Sequence, residues 1–276
     1  MAVAALAVLL SACQAKAPPA PDAQRIVSLA PALTAIITAL GAADRLVGVT
    51  RHCDAPSGTP IVGDFTPVPD RVLAARPGLV LMAAYASQAA DRANLEALGL
   101  PVIAVPLDTL AELRTAIARI ADLIGTPQVA PPLVAKLDAA RDKLERCLTP
   151  GRKPSWLVVY GVDGAHVYST GGGDHIADLL AATSAPNALE GHARSARVGL
   201  EAVLAARPDV ILHVAPTADL PDSAAARRWW ATWEAIPAVR RGAVFVWPDD
   251  RLARNGPHLA ELVDMLCDML RLGAAE

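Results

Sequence analysis

No two cysteines in this 276-residue chain stand at the CxxC spacing. That excludes a zinc knuckle and a thioredoxin-type redox pair. Basic charge is not in excess either. With 25 Lys and Arg against 28 Asp and Glu, the formal net charge is −3, and the chain lacks the basic surface that nucleic acid requires. Beyond the N-terminus there is no long apolar run: charges or prolines interrupt each one before the roughly 20 residues of a membrane-spanning helix. Six histidines are present (His52, His166, His175, His192, His213 and His258), but none forms an HxxH or HxxxH pair, so no local metal site is expected. No GxSxG elbow and no HExxH helix occurs. The Gly-rich stretch STGGGDHI, residues 169–176, lacks the GK[ST] ending of a phosphate loop and reads as a tight turn before a helix. An enzyme on this scaffold is therefore the weaker expectation, and no resident cofactor is expected.

What the chain does have is apolar mass. It is 53% hydrophobic, enough for a large core, and longer than one ordinary domain of about 100–200 residues. The first 13 residues, MAVAALAVLLSAC, are too short to span a bilayer but have the length of a signal-peptide core. Small residues before Cys13 resemble a bacterial lipoprotein box, which implies lipidation at Cys13 and an extracytoplasmic, membrane-anchored protein. No Lys or Arg precedes the apolar run, and an N-terminal helix with a buried cysteine is the alternative. Residues 14–24 are rich in Pro and Ala and read as a tether. Of the four cysteines, lipidation of Cys13 leaves Cys53, Cys147 and Cys267, an odd number with at least one free thiol. Cys53 is expected to pack as a small apolar residue.

One phrase occurs twice. Residues 70–82 read DRVLAARPGLVLM and residues 201–213 read EAVLAARPDVILH. Each is an acid, a helical turn and then a continuous apolar strand of the kind buried on both faces of a parallel sheet. The proline ends each helix by excluding helical geometry from the residue before it. The match extends outward. IVSLAPALTAIITALG (26–41) is strand, turn and helix, as is WLVVYGV (156–162) with HIADLLAAT (175–183). Two strands closed by proline, LPVIAVP (100–106) and GAVFVWP (242–248), each precede an amphipathic run. The expectation is an α/β protein of two pseudo-symmetric lobes with mainly parallel sheets: residues 25–125 and 150–276. Between them, 126–149 holds one long helix with Leu133, Leu137, Leu144 and Leu148 on one stripe. Open α/β sheets bind ligands beyond the carboxyl ends of their strands, and clefts between lobes are common ligand sites.

The stretch RIVSLAPALTAIITALGAADRLVGVTRHCDAP, the two VLAARP segments and the spanning helix together resemble the substrate-binding proteins of ABC importers for cobalamin and ferric chelates, most nearly the cobalamin branch. The resemblance covers nearly all of residues 24–273. It implies a non-enzymatic protein, a monomer when free, that holds a metal chelate in the interlobe cleft and delivers it to a permease dimer with its ATPase subunits. Residues that follow strands are the expected cleft wall: Pro31, Ala32, His52, Phe65, Tyr85, Tyr168 and Trp247. Asp250 and Arg254 match a four-residue acid–base spacing that contacts the ligand's polar edge. Asp70 and Glu201 are expected to dock on permease arginines, although acids at helix N-termini are also favourable by about 0.3–1 kcal/mol on their own. Departures from the branch are plain. Only two Phe are present, and EGHARSARVGLE carries no aromatic. The resemblance also implies a disulfide from the last helix, where Cys267 fits, to the middle of the second lobe, where LLAATSAPN offers no partner. A ferric siderophore, haem with His52, Tyr85 or Tyr168 as axial ligand, and a bare metal ion are the alternative cargoes. A membrane-anchored interaction module without a small ligand is a further alternative.

Overall fold

The computed structural model describes residues 23–148, 153–192, 196–214, 222–247 and 250–274. The signal-like segment, Cys13 and most of the tether lie outside these residues. Among the described residues no helix is long and apolar enough to cross a membrane.

The first lobe runs β1 (Ile26–Ser28), α1 (Pro31–Ala39), β2 (Leu46–Thr50), β3 (Ile61–Gly63), α2 (Pro69–Ala74), β4 (Leu79–Ala83), α3 (Ala89–Ala97), β5 (Val102–Val105) and α4 (Leu110–Leu123). The connecting helix is α5 (Ala130–Glu145). The second lobe runs β6 (Trp156–Asp163), β7 (His166–Ser169), α6 (His175–Thr183), β8 (Ala196–Gly199), α7 (Leu200–Ala206), β9 (Val210–Val214), α8 (Ser223–Ala231), α9 (Pro237–Arg240), β10 (Val244–Trp247) and α10 (Leu259–Ala274).

Each lobe holds one five-stranded sheet. The orders are β3-β2-β1-β4-β5 and, read from the matching edge, β8-β7-β6-β9-β10. Strand for strand the two orders are the same. All pairings in the first sheet are parallel. The second sheet departs from the expectation of mainly parallel strands, because β7 is antiparallel to both β6 and β8. The cause is local. Gly164-Ala165 is a two-residue hairpin loop, with Gly164 at φ 57°, and Gly at the first loop position is suited to such a turn. The helix that separates β1 from β2 in the first lobe is thereby displaced to follow β7.

The repeated VLAARP segments occupy equivalent connections, α2 between β3 and β4 and α7 between β8 and β9. Each ends on an arginine in left-handed geometry, Arg76 at φ 46° and Arg207 at φ 49°. The residue before proline thus leaves the helix, as expected, but by way of the left-handed region rather than the extended one. In the first lobe the guanidinium of Arg25 donates to the carbonyls of Ala75 and Arg76, at 2.6 and 2.9 Å, and so satisfies the helix end.

Alternate residues of the central strands enter different cores. Ile26, Leu79 and Leu81 in the first lobe, and Trp156, Val158 and Leu212 in the second, belong to one continuous apolar cluster. Helices α1, α4, α5 and α10 contribute to it. The opposite faces form two separate cores, around Val27, Val80 and Met82 and around Leu157, Val159 and Trp230. Burial on both faces explains why these strands read as unbroken apolar runs. Helix α5 has 16 residues, or about 24 Å. It is shorter than the expected stripe: it ends at Glu145, Leu133 is only partly buried, and Leu148 follows it in a turn.

Cys147 and Cys267 form a disulfide with a Cα–Cα distance of 5.5 Å. The partner of Cys267 therefore sits just beyond α5, not in the middle of the second lobe. Packing of α10 along α5 explains the choice. Lys143 on α5 pairs with Asp264 on α10, and Arg271 donates to the Cys147 carbonyl at 3.2 Å. Cys53 is a free, half-buried thiol packed against the large core, 3.1 Å from the Thr50 hydroxyl.

Candidate functional site

Between the lobes lies a cavity of about 710 Å³, toward the upper end of the roughly 300–1,000 Å³ usual for small-molecule sites. Every strand of the first sheet sends its following residues into the wall. Pro31 and Ala32 come after β1, His52 after β2, Asp64 and Phe65 after β3, Tyr85 and Gln88 after β4, and Leu107 and Asp108 after β5. The second lobe contributes Tyr160 from within β6, Asp174 and His175 at the start of α6, and the segment 253–255 after β10. The wall is thus built at the strand ends where the sheet order reverses.

The first lobe's rim is aromatic and exposed. The Phe65 side chain is 78% exposed, and the His52 ring lies against it with centroids 4.4 Å apart. Asp64 holds His52 Nε2 at 2.7 Å and the Arg51 guanidinium at 3.3 Å. That grip fixes the imidazole's orientation beside an otherwise unsupported ring. Tyr85 is also partly exposed on this side.

The second lobe's wall is polar and buried. Asp174 caps α6, accepting from the Ala177 N–H at 2.8 Å. Its other oxygen accepts from Thr170 at 2.6 Å and from the Tyr160 hydroxyl at 3.3 Å. Burial, aided by the Asp174 charge, pushes the Tyr160 phenol far above its usual pKa, so it remains a hydroxyl. Burial lowers the pKa of His175, whose Nε2 contacts the Leu252 carbonyl at 3.0 Å.

Two side chains tie the lobes together beneath the cavity. Asn255 donates through Nδ2 to the carbonyls of Leu107 and Thr109, at 2.8 and 3.1 Å. Asp178 on α6 accepts from the Leu110 N–H at the start of α4, at 2.8 Å.

The cavity therefore gathers Pro31, Ala32, His52, Phe65, Tyr85 and Arg254 from the expected residues. Asp250 is exposed and reaches the site only through its ion pair with Arg254. Two expected residues do not line this cavity. Tyr168 is partly exposed on β7, paired with Arg197 of β8, and lies outside the cavity wall. Trp247 is fully buried within β10 and serves the core. Asp70 and Glu201 are exposed in the first turns of α2 and α7, away from the cavity wall. Among the wall residues that sequence reasoning missed are Asp64, Gln88, Asp108, Tyr160, Asp174, His175 and Asn255. Asp174 carried a usable signal: an Asp between a glycine turn and an apolar helix is a strong N-cap candidate.

A second cavity of about 590 Å³ lies among α4, α5, α6 and α10. Four of its charged residues pair, Arg114 with Asp138 at 3.2 Å and Arg141 with Glu145 at 3.2 Å, and the fifth, Asp178, accepts from the Leu110 N–H. Among the described residues no cluster of three or more His, Cys, Asp or Glu is arranged to hold a metal ion.

The sequence profile of a family described as periplasmic binding protein matches residues 26–251. An uncharacterized ABC transporter substrate-binding lipoprotein of Bacillus subtilis, YvrC, is 27% identical over 257 residues, covering 90% of this chain and 80% of that protein. The vitamin B12-binding protein of Vibrio campbellii is 24% identical over 252 residues, 89% of each chain. Among solved structures, the periplasmic haem-binding protein BhuT with two haems superposes with a TM-score of 0.76 at 26% identity, covering 90% of this chain and 98% of that one.

Proposed function

The chain belongs to the periplasmic binding protein family, and from that premise we propose that it is the substrate-binding component of an ABC importer that takes cobalamin or a related corrinoid. The ligand lies between the lobes and passes to a permease dimer driven by its ATPase subunits. The observation that carries this reading is the composition of the interlobe cavity. An exposed aromatic rim of Phe65, His52 and Tyr85 faces a buried polar wall across about 710 Å³. Aromatic faces suit a flat macrocycle, burying large area at low entropic cost. The likeness to the Vibrio campbellii protein supports the same ligand class. Nothing in the arrangement calls for a covalent step by this chain.

Docking falls to Asp70 and Glu201, one exposed acid per lobe on equivalent helices. Acylation of Cys13 anchors the protein at an extracytoplasmic membrane face, and the free protein is a monomer.

Haem is the second reading. It is favoured by His52, whose Nε2 is engaged by a carboxylate, the kind of contact that orients a ligating imidazole. The likeness to BhuT points the same way. Calorimetry on the soluble chain with cyanocobalamin, dicyanocobinamide, haem and a ferric siderophore tests both. Binding of a corrinoid in preference to the others is expected. Tight binding of haem alone, with a shifted visible spectrum that His52→Ala abolishes, transfers the assignment to haem. Silence from all four removes both readings.

A further inference from the structure

The loop that joins β5 to α4 is held from both lobes. In its own lobe the Glu112 carboxylate accepts from the Asp108 and Thr109 N–H groups, at 2.7 and 3.1 Å, while the Thr109 hydroxyl accepts from the Glu112 N–H at 3.1 Å. This capping box makes the loop a stiff piece. From the second lobe, Asn255 donates to the carbonyls of Leu107 and Thr109, and Asp178 accepts from the Leu110 N–H. All three interlobe bonds therefore fall within residues 107–110. The second-lobe side is braced as well. His175 Nε2 meets the Leu252 carbonyl at 3.0 Å, which joins the start of α6, where Asp178 sits, to the turn that leads to Asn255.

Each segment that carries an interlobe bond also carries cavity wall. Leu107 and Asp108 belong to the loop, Asp174 and His175 lie one helical turn before Asp178, and Arg254 precedes Asn255. On the other side, Leu110 and Asp178 line the second cavity, of about 590 Å³. The contact thus stands between two open spaces. An element buried on all sides is held by close packing; here hydrogen bonds take a larger share. A change in the gap between the lobes must break these bonds or drag the cavity wall with it.

Resting on the reading of the interlobe cavity as the corrinoid site, we infer that the 107–110 loop, gripped by Asn255 and Asp178, is a strap that sets the width of the cleft and so the residence time of the ligand. Asp178 lies outside the cavity wall and is a positioning residue: it acts on the ligand through the loop it holds. The coupling is reciprocal. A ligand that fits the strapped cleft must in turn hold the strap closed.

Stopped-flow binding of dicyanocobinamide to the unmodified protein and to three variants tests this. Asp178→Ala should speed dissociation about fivefold or more with little change in association. Asp178→Asn keeps an acceptor oxygen for the Leu110 N–H and should restore slow dissociation. Arg45→Ala removes a bond within the first lobe alone, from the guanidinium to the Ile124 carbonyl at 2.7 Å; it should lower the melting temperature and leave dissociation unchanged. In the unmodified protein, saturating ligand should slow hydrogen exchange at the Leu110 amide more than at Ala225. The Ala225 N–H is likewise held by an aspartate, Asp222, at 2.6 Å, but on α8 outside the cavity wall. Equal effects of Asp178→Ala and Arg45→Ala on dissociation overturn the inference and leave the corrinoid reading intact. So does exchange slowed alike at both amides. If dicyanocobinamide fails to bind the unmodified protein, the corrinoid reading falls, and the same kinetics with haem decide the strap. If haem is silent too, the strap's role falls with the cavity.

Discussion

The two lobes share a strand order but not a surface chemistry. The first closes its sheet with parallel crossovers throughout, and the residues after its strands reach the cleft on exposed loops. Its contribution is hydrophobic and ring-shaped: Phe65, the His52 ring beside it, and Tyr85. The second lobe replaces one crossover with the Gly164-Ala165 hairpin, which moves its helix to follow β7 and brings the capped start of α6 to the cavity. Its contribution is buried and hydrogen-bonded: Tyr160, Asp174, Thr170 and His175. The comparison teaches that a duplicated scaffold can keep its topology while one altered turn reassigns what each half offers a ligand.

The largest expected contrast between the halves is in stability. The Cys147–Cys267 disulfide spans 120 residues and encloses every strand of the second lobe and none of the first. A chain-entropy estimate for such a loop is about 4–5 kcal/mol. Replacing both cysteines by alanine should lower the melting temperature markedly, and hydrogen exchange should quicken in β6–β10 more than in β1–β5. Equal acceleration in both sheets would erase the distinction.

Next comes pH. His213 is wholly buried in β9, accepts from the Trp230 indole at 3.0 Å, and has its pKa lowered to about 4 by burial. A lowered histidine pKa means that the unfolded chain binds the proton more readily. The stabilisation is therefore complete above the ordinary value near 6.5 and is lost as pH falls toward 4, by roughly 3 kcal/mol. His175, lowered in the same direction, adds to the slope. Both histidines lie in the second lobe. Denaturant titrations from pH 7 to pH 4 should show the fall, and His213→Leu should flatten it. An unchanged slope in that variant would assign the acid sensitivity elsewhere.

Smaller still is the cost of removing the rim. Phe65→Ala should leave stability within about 0.5 kcal/mol, as for a surface position, and weaken the ligand about tenfold, in keeping with roughly 0.5–1.5 kcal/mol for a ring contact beyond its buried area. Tyr160→Phe should do the reverse, lowering stability by about 1 kcal/mol through a lost buried hydrogen bond and changing affinity little. Melting curves and calorimetry on the two variants check this crossing pattern. The smallest shift belongs to the paired acids. Asp70→Ala with Glu201→Ala should cost no more than about 1 kcal/mol per site in stability and leave ligand affinity intact, while uptake in cells collapses. Normal uptake would remove the docking role.

Much of this was legible beforehand, for identifiable reasons. The VLAARP phrase marks the same crossover twice because proline ends a helix abruptly and unbroken apolar strands require two covered faces. That is enough to expect two sheets and a cleft. Tyr160 escaped notice because WLVVYGV reads as uniformly buried, and nothing in an apolar run tells which residue lies at the cavity level. Gly164 could have signalled the hairpin, but the analogy with the first half led to a plain turn between the strand and the following helix. Cys147 was passed over because pairing depends on how α5 and α10 lie together, a tertiary fact with no local signature. Trp247 followed a pattern that held for the first sheet, where post-strand residues line the cavity. It is itself the last residue of β10 and turns inward.

The single apolar cluster that runs through both lobes, with α5 and α10 inside it, has a kinetic corollary. Prising the sheets apart would expose that interior to water, so cargo cannot wait on a wide swing of the halves. Entry should proceed without a wide opening step, and discrimination among guests should be written mostly in how long each one stays.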